Sequence, residues 1–367
     1  MSELTSPAGP PAEISHLVRE RVEARARRDW TRADAIKAQI EAAGWRVVDR
    51  RGRSSVSQAA RASVEADGEI RYGTAAGVPS LLDAPATTAW TVAIVASESP
   101  DRVSRLLTAL RTHAPAGSQV VIVANDPSDA QVAALLPDNA DRAPIGGLAP
   151  ELLRTSARLG HAAALNIALR RASGELVLIT DGTAWPSGDA ISPLAIALED
   201  PAVAVAGGFG LYAPDDEPLR PNALGREPGT DDAAAAAAPT ALEGAWLAFR
   251  RADYIELGPL DEHFATPSWL DVWWSLRLRA GAEPEGWEVA EPTEEGDAGY
   301  ADEPSAPSTA ETAAPEPEFE FAEPRMAVRP DLPLEREAAG WPPDRSRLNR
   351  RNMYRVLDRF GRRVDLG

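Results

Sequence analysis

The chain has 367 residues, 44% of them apolar, and its 38 basic and 56 acidic side chains give a formal net charge of −18. It contains no cysteine, which excludes disulfide bonds and thiolate metal sites. No apolar run reaches the roughly 18 residues of a membrane-spanning helix, and the first residues lack the pattern of a secretion signal. We therefore expect a cytoplasmic protein that is at most peripheral to a membrane.

Residues 1–56 are predicted to form a small helical hairpin. Apolar side chains recur at helical spacing on both sides of a break near residues 29–31: Val18, Val22, Ala26, Ala33, Ile36 and Ile40. The segment "EARARRDWTRADAIKAQIEAAGWRVVDRRG" resembles the C-terminal tail of cysteinyl-tRNA synthetases, without any of their catalytic motifs. Between Glu13 and Arg53 there are 11 basic and 7 acidic side chains, an excess too small to make RNA or DNA an expected partner.

Two other segments are predicted to lack regular structure. Residues 57–88 are rich in Ala, Ser and Gly, which is typical of a linker. Residues 283–324 are rich in Pro and Glu and contain 14 acidic side chains but no Lys or Arg, which predicts a disordered insert. Because this insert supplies −14 of the net charge of −18, the rest of the chain sums to −4, and the overall acidity says little about partners.

Strands and helices alternate in residues 89–282. Short runs rich in Val and Ile, "WTVAIVAS", "QVVIVAND", "ELVLITD" and "AVAVAGGFG", are separated by helical patterns. This alternation predicts an α/β domain with a mostly parallel sheet and helices on both faces. Such sheets bind ligands at the carboxyl ends of their strands, where Asp181 lies. Residues 325–367 contain a basic helix that we expect to dock on this domain through one apolar stripe: Leu348, Met353, Val356, Leu357 and Phe360.

Three blocks of this domain resemble family 2 glycosyltransferases, which have the Rossmann-like GT-A fold. The stretch "LGHAAALNIALRRASGELVLITDGTAWP" is similar to the family's G-x-x-x-A-x-N-x-G helix, its A-x-G-E strand and its D-x-D turn. The stretch "EGAWLAFRRADYIELGPLDEHF" is similar to the acceptor-side segment, and "WLDVWWSLRLRAGA" to the E-D-x-D-L-x-x-R helix. The order and spacing of the blocks over roughly 190 residues imply the GT-A fold.

The resemblance implies inverting transfer of a sugar from a nucleoside diphosphate. The sequence leaves the acceptor open between a polysaccharide, a lipid-linked glycan and a protein. Asp181 matches the first Asp of D-x-D and is the candidate for the donor and for Mg²⁺ or Mn²⁺, which would neutralise the diphosphate. Asp271 matches the Asp of E-D and is the candidate catalytic base. The other positions that match the family's donor contacts are Ser97, Glu98, Asn125, Gly160 and Asn166, and those that match its acceptor side are Asp261, Glu262 and Trp269.

Several positions depart from the family pattern. Thr183 replaces the second Asp of D-x-D, Leu270 replaces the Glu of E-D, and Ala124 or Asn125 replaces an Asp at a strand end. His161 has no partner at metal-ligand spacing and is interpreted as an ordinary residue. Two alternatives therefore stand beside an enzyme: an inactive GT-A-like domain that serves as a binding scaffold, and an RNA-associated protein that acts through the N-terminal hairpin.

Overall fold

The structure is a computed structural model. It describes residues 12–43, 45–50, 53–58, 62–66, 68–96, 100–125, 144–212, 239–281, 326–337 and 347–360. The predicted acidic insert at 283–324 and the alanine run at 233–238 lie outside the described residues, as do Ser97 and Glu98. In the described ranges, no helix combines the length and the apolar character needed to cross a bilayer.

The N-terminal part contains the predicted helical hairpin. Helix α1 (Ala12–Ala26) and helix α2 (Trp30–Ala42) pack on each other and on a two-stranded sheet of β1 (Trp45–Arg50) and β2 (Arg53–Gln58). The Asp29 carboxylate accepts the Arg32 N–H at 3.1 Å and so caps α2. The two helices share a small core made of Ile14, Ala24, Ala33, Ile36 and Ile40. The helical hairpin is thus confirmed, and its likeness to a synthetase tail stays a prediction.

The centre of the protein is a nine-stranded sheet. The strands after β2 are β3 (Val64–Ala66), β4 (Glu69–Tyr72), β5 (Thr88–Ala96), β6 (Gln119–Ala124), β7 (Glu151–Thr155), β8 (Gly174–Thr180), β9 (Ala184–Pro186), β10 (Val205–Gly207), β11 (Gly210–Leu211), β12 (Ala241–Leu242), β13 (Leu247–Arg250), β14 (Met326–Val328) and β15 (Leu334–Arg336). The order in the sheet is β14-β10-β13-β8-β5-β6-β7-β4-β3. Strands β8, β5, β6, β7 and β4 are parallel to one another, whereas β13 is antiparallel to both of its neighbours.

Helices cover both faces of the sheet, as the sequence predicts. They are α3 (Pro100–His113), α4 (His161–Arg170), α5 (Ser192–Glu199), α6 (Arg251–Leu257), α7 (Leu270–Ala280) and α8 (Arg347–Phe360). Side chains of β5 alternate between the two cores: Ala93 and Val95 pack with α4, α6 and α7, whereas Val92 and Ile94 pack with α3 and α5. Because both faces of β5 are buried, its sequence is a continuous apolar run and does not alternate between apolar and polar residues.

The range 57–88, expected to be a linker, contributes to the main sheet instead. Strands β3 and β4 form a hairpin, and Tyr72 of β4 pairs with Thr155 of β7. The hairpin lies at the edge of the sheet, where Val64 and Ile70 are 50% and 54% exposed. An edge hairpin that buries so little apolar surface has no periodic apolar pattern, which is why its composition indicated a linker.

Arg251 fastens the chain that follows this hairpin to the core. Its buried guanidinium donates hydrogen bonds from Nη2 to the carbonyl oxygens of Leu81 at 2.7 Å, Leu82 at 2.9 Å and Ala84 at 2.6 Å. We expect Arg251→Leu to lower the free energy of unfolding by about 3 kcal/mol, because three backbone carbonyl groups lose a charged donor. Urea unfolding measures this loss, with Arg350→Leu on the exposed face of α8 as the control. A variant as stable as the control would contradict the expectation.

The C-terminal segments complete both the sheet and its surroundings. Strand β14 adds to the edge of the sheet parallel to β10, and β15 pairs with β9, which directly follows Asp181 and Thr183. Helix α8 packs on α7 through Met353, Val356 and Phe360, all of them buried. Residues distant in sequence therefore surround the carboxyl end of β8.

Candidate functional site

Two adjoining cavities lie at the carboxyl ends of the parallel strands. The first, of about 140 Å³, contains three carboxylates on its wall, Asp181, Glu243 and Asp271, and we call it the acidic cavity. The second, of about 130 Å³, contains Arg102 and Arg158, and we call it the arginine cavity. Four residues line both: His161, Asp181, Thr183 and Pro267. A ligand with an anionic part and a neutral part can therefore occupy the two cavities at once.

Asp181 stands on the wall that the two cavities share. It follows β8 directly, and Gly182 turns the chain with a φ of +80°. The Asp181 Oδ1 atom accepts the Thr183 N–H at 2.9 Å and the Thr183 hydroxyl at 2.5 Å. Burial raises the pKa of Asp181, and the bonds from Thr183 and the charge of Arg102 offset this only in part. Thr183 thus fixes the direction of the Asp181 carboxylate, where the family pattern has a second carboxylate.

Asp271 lies in the first turn of α7, on the wall of the acidic cavity. Its Oδ2 accepts the Gly244 N–H at 3.0 Å and its Oδ1 the Val272 N–H at 2.9 Å. A side chain at Gly244 would place its Cβ 3.2 Å from the Cβ of Asp271, so glycine permits this approach. Burial, together with the negative charges of Glu243 and Asp181, raises the pKa of Asp271 to about 7 although the two hydrogen bonds act to lower it. A carboxylate with this pKa takes up a proton readily near neutral pH.

Glu243 and Arg336 form an ion pair in the same cavity, which the sequence analysis missed. The Arg336 Nη2 atom lies 3.0 Å from the Glu243 Oε2, and Glu243 is only 6% exposed. Arg336 also stacks over the ring of Phe209 with its guanidinium carbon 4.2 Å from the ring centre. The two partners are 93 residues apart in sequence, on opposite sides of the predicted acidic insert, so no local pattern could have indicated them.

His161 and Asn125 border the arginine cavity. His161, which the sequence analysis interpreted as ordinary, is the first residue of α4 and lines both cavities. Asn125, a predicted donor contact, ends β6; its amide donates to the Leu159 carbonyl at 3.0 Å and accepts the Leu159 N–H at 2.8 Å. Asn125 therefore ties the end of β6 to the loop before α4 and lines the arginine cavity as well.

Gly160 and Asn166, two further predicted donor contacts, make close contacts with other parts of the protein. A Cβ at Gly160 would lie 3.2 Å from the Cα of Ala265, so this glycine permits a close approach of two loops. Asn166 is 1% exposed, and its amide group bonds the N–H and the carbonyl of Leu260, the Tyr254 hydroxyl and the Glu262 carboxylate. In the structure, Asn166 thus holds the turn after α6, and its contact with a nucleotide stays a prediction.

The three predicted acceptor-side residues lie behind the wall of the acidic cavity. The Asp261 Oδ1 atom accepts the backbone N–H of His263 and is bonded to its ring nitrogen Nδ1. Burial acts to raise the pKa of Asp261, but these bonds and the positive charge of Arg355 outweigh it, so the pKa is lowered. Glu262 accepts the Asn166 amide at 3.2 Å. Trp269 is 3% exposed in the core, with a φ of +71° just before α7, and its place on the acceptor side stays a prediction. Neither cavity is lined by any of the three.

The side chains around Asp181 fit a divalent cation only as a partial set of ligands. Among the residues that the structure describes, no group of three or more His, Asp or Glu side chains is placed to hold a metal. Asp181 offers one carboxylate in a cavity wall that also contains Glu243 and Asp271, which is a favourable setting for positive charge. Mg²⁺ commonly takes one or two carboxylates and completes its shell with water and phosphate oxygens.

The sequence model of the family described as "Glycosyl transferase family 2" matches residues 91–255. This match, together with the sheet order, confirms the predicted GT-A fold. No curated protein matches the sequence.

Among solved structures, similar chains include the mannosyltransferase PcManGT from Pyrobaculum calidifontis in complex with GDP-Man and Mn²⁺, at 23% identity and a TM-score of 0.39 over 56% of this chain and 59% of that one. GalNAc-T7 with UDP, GalNAc and Mn²⁺ is similar at 16% identity and a TM-score of 0.41 over 54% of this chain and 41% of that one. TarS from S. aureus is similar at 16% identity and a TM-score of 0.35 over 52% of this chain and 33% of that one. The aligned part thus spans less than two thirds of each of these proteins.

Proposed function

We propose that the protein transfers a sugar from a nucleoside diphosphate to a hydroxyl group of an acceptor, with inversion at the anomeric carbon. The observation that carries the proposal is the pair of carboxylates in the acidic cavity: Asp181, on the wall that the two cavities share, and Asp271, whose pKa is raised to about 7. The match of residues 91–255 to family 2 glycosyltransferases supports glycosyl transfer in general.

The charges of the two cavities suggest how the donor would be divided between them. Arg102 and Arg158 in the arginine cavity suit the diphosphate, whose negative charge they offset. The acidic cavity, with apolar Leu165, Leu270 and Trp274 beside its carboxylates, suits the sugar and the incoming hydroxyl. Asp181, at the boundary, would hold a divalent cation that neutralises the leaving diphosphate when it is bound.

Asp271 is the residue that we assign to proton transfer. A hydroxyl that attacks the anomeric carbon must lose its proton as the new bond forms, and a carboxylate on the cavity wall accepts it. The two N–H groups bonded to Asp271 hold its oxygens in place, so the carboxylate is oriented before the substrate arrives. Displacement in a single step from the face opposite the diphosphate inverts the anomeric carbon.

A binding scaffold without catalysis is the second candidate, and one observation favours it. The position of the second Asp of D-x-D holds Thr183, whose hydroxyl is committed to Asp181 at 2.5 Å. Among the described residues that line the arginine cavity, Asp181 is the one carboxylate, which weakens any metal site there. A scaffold of this kind would bind a nucleotide but release no sugar from it under any condition. The RNA-associated alternative still rests only on the resemblance of the N-terminal hairpin.

The donor site is tested by calorimetric titration of UDP, GDP and dTDP with and without Mn²⁺ or Mg²⁺. We expect one nucleotide to bind in a metal-dependent manner, and Asp181→Ala to weaken that binding about 30-fold, because its diphosphate loses the cation that offsets its charge. Asp331→Ala, a change at an exposed carboxylate that lines neither cavity, serves as the control. If the folded wild-type protein binds none of the three nucleotides, the proposed function is wrong.

A further inference from the structure

One turn, residues 264–268, forms a wall of both cavities. Ala265 and Thr266 line the arginine cavity, Ser268 lines the acidic cavity, and Pro267 lines both. The turn lies between α6 and α7 and belongs to neither. Its position therefore determines the width of both cavities, while no helix or strand of its own holds it in place.

Two buried amides of the C-terminal helix α8 bind this turn. The Asn352 amide donates to the Thr266 hydroxyl at 2.9 Å and to the Ser268 carbonyl at 3.1 Å. The Thr266 hydroxyl in turn donates to the Asn349 Oδ1 at 3.2 Å. Asn352 is fully buried and Asn349 is 9% exposed. The hydroxyl of Thr266 thus accepts one hydrogen bond from α8 and donates another to it.

The opposite side of the turn is bonded to the start of α4. The His161 N–H donates to the Ala265 carbonyl at 2.9 Å, and the Ala162 N–H donates to the Phe264 carbonyl at 3.0 Å. Gly160 leaves room for this contact. A chain of hydrogen bonds therefore runs from α8 through the turn to His161, which lines both cavities.

Docking of α8 does not by itself require these amides. Met353, Val356 and Phe360 already bury the apolar stripe of the helix against the core. Burying an amide is costly unless its hydrogen bonds are made, so two asparagines on the buried face are disfavoured as simple packing residues. The Asn352 side-chain nitrogen and the Asn349 Oδ1 atom both bond the turn that lines the cavities, which indicates a task beyond docking.

We infer that Asn352 is a positioning residue for the donor site: through Thr266 it holds the 264–268 turn, and with it His161, at the width that fits a nucleoside diphosphate. This inference rests on the proposed function of the two cavities. The residue touches no substrate itself; it acts through the turn. The basic C-terminal helix is then a part of the site, which the resemblance to family 2 glycosyltransferases does not assign.

The test compares Asn352→Ala and Thr266→Val with wild type in the full-length protein. Hydrogen exchange by mass spectrometry is followed in peptides that cover residues 159–165 and 263–269. We expect exchange in these peptides to be about tenfold faster in both variants, and unchanged in β5 and β8, because only the bonds that hold the turn are lost. Titration with UDP, GDP and dTDP in the presence of Mn²⁺ should show affinity reduced by about tenfold in both variants.

Two controls separate positioning from general damage. Thr266→Ser keeps the hydroxyl and should retain wild-type exchange and affinity. Tyr354→Ala, on the exposed face of the same helix, should do the same. Unchanged exchange in both test variants, equally faster exchange throughout the protein, or faster local exchange with unchanged nucleotide affinity would each overturn the inference. If the wild type binds no nucleotide, the proposed function fails, and the exchange result alone decides whether α8 holds the turn.

Discussion

Asp271→Asn is expected to lower the rate of sugar transfer by about 10³-fold, because the variant cannot accept the proton of the attacking hydroxyl. Nucleotide affinity should change little, since Asp271 lies in the acidic cavity and outside the arginine cavity. The measurement is the release of nucleoside diphosphate from the donor that the titrations identify, with water or a glycan as acceptor. Wild-type rates in the variant would remove Asp271 from the mechanism, and absent turnover in the wild type would favour a scaffold.

The pH dependence of the wild-type rate gives a second test of the same residue. Asp271 acts as a base only when ionised, and its pKa is raised to about 7. The rate should therefore rise as pH increases through about 7 and then level off. The activity that remains in Asp271→Asn should not show this rise with pH.

The raised pKa also has a consequence for stability. The folded protein holds a proton on Asp271 up to about pH 7, whereas the unfolded chain releases it near the ordinary value of 3.8. Between these values the folded state binds more protons, so this group stabilises the fold below about pH 4 and loses that contribution as pH rises through 7. The loss is on the order of 2 kcal/mol, less than the full shift would give because the cavity leaves the carboxyl partly accessible. Melting curves from pH 4 to pH 8 should therefore fall more steeply for wild type than for Asp271→Asn.

Arg336→Met is expected to lower the free energy of unfolding at neutral pH by about 2 kcal/mol and to move the activity profile to higher pH. The variant leaves Glu243, which is 6% exposed, without its cationic partner. An uncompensated negative charge beside Asp271 favours the protonated form of that carboxyl further, so the pKa of Asp271 should rise. Urea unfolding and a pH–rate profile measure the two effects.

A double variant distinguishes two effects of losing Arg336: the unpaired charge left on Glu243 and the lost contact with Phe209. Adding Glu243→Gln to Arg336→Met removes the stranded charge, so most of the lost stability should return and the pH limb should move back toward lower pH. Asp331→Asn, at an exposed pair with Arg329, is the control and should leave the free energy of unfolding unchanged. If the double variant is no more stable than Arg336→Met, the stranded charge is not the cause.

How much of this site the sequence predicts depends on how far apart its parts are in the chain. Asp181 and Asp271 were both placed at the site from local blocks, and both line the acidic cavity. The bonds of Asn166 to Leu260 and Tyr254 could not be predicted, because a sequence does not distinguish an amide that contacts a ligand from one that bonds other parts of the protein. Asp261 and Trp269 stand in matching blocks but line neither cavity, which block spacing does not reveal.

The remaining parts of the site lacked any local signal. Arg336 reaches Glu243 only because β15 pairs with β9, a pairing decided by the whole sheet. The edge hairpin of β3 and β4 buries too little apolar surface to produce the alternation by which strands are recognised. The central strands β5, β6 and β8 were predicted well, since burial on both faces leaves long runs of Val and Ile.

One side of the site is formed by residues near the C-terminal end of the chain, which the ribosome synthesises last. Glu337 binds Arg102 across 235 residues of chain, Arg336 binds Glu243 across 93, and Asn352 binds Thr266 across 86. Contacts between residues so far apart in sequence form late in folding, because closing a long loop costs conformational entropy. A nascent chain that has already exposed Asp181 and Asp271 still lacks Arg336 and Asn352. Chains terminated before residue 326 would therefore present both carboxylates in an unfinished site, and we expect the proposed activity only once the last segment has emerged and docked.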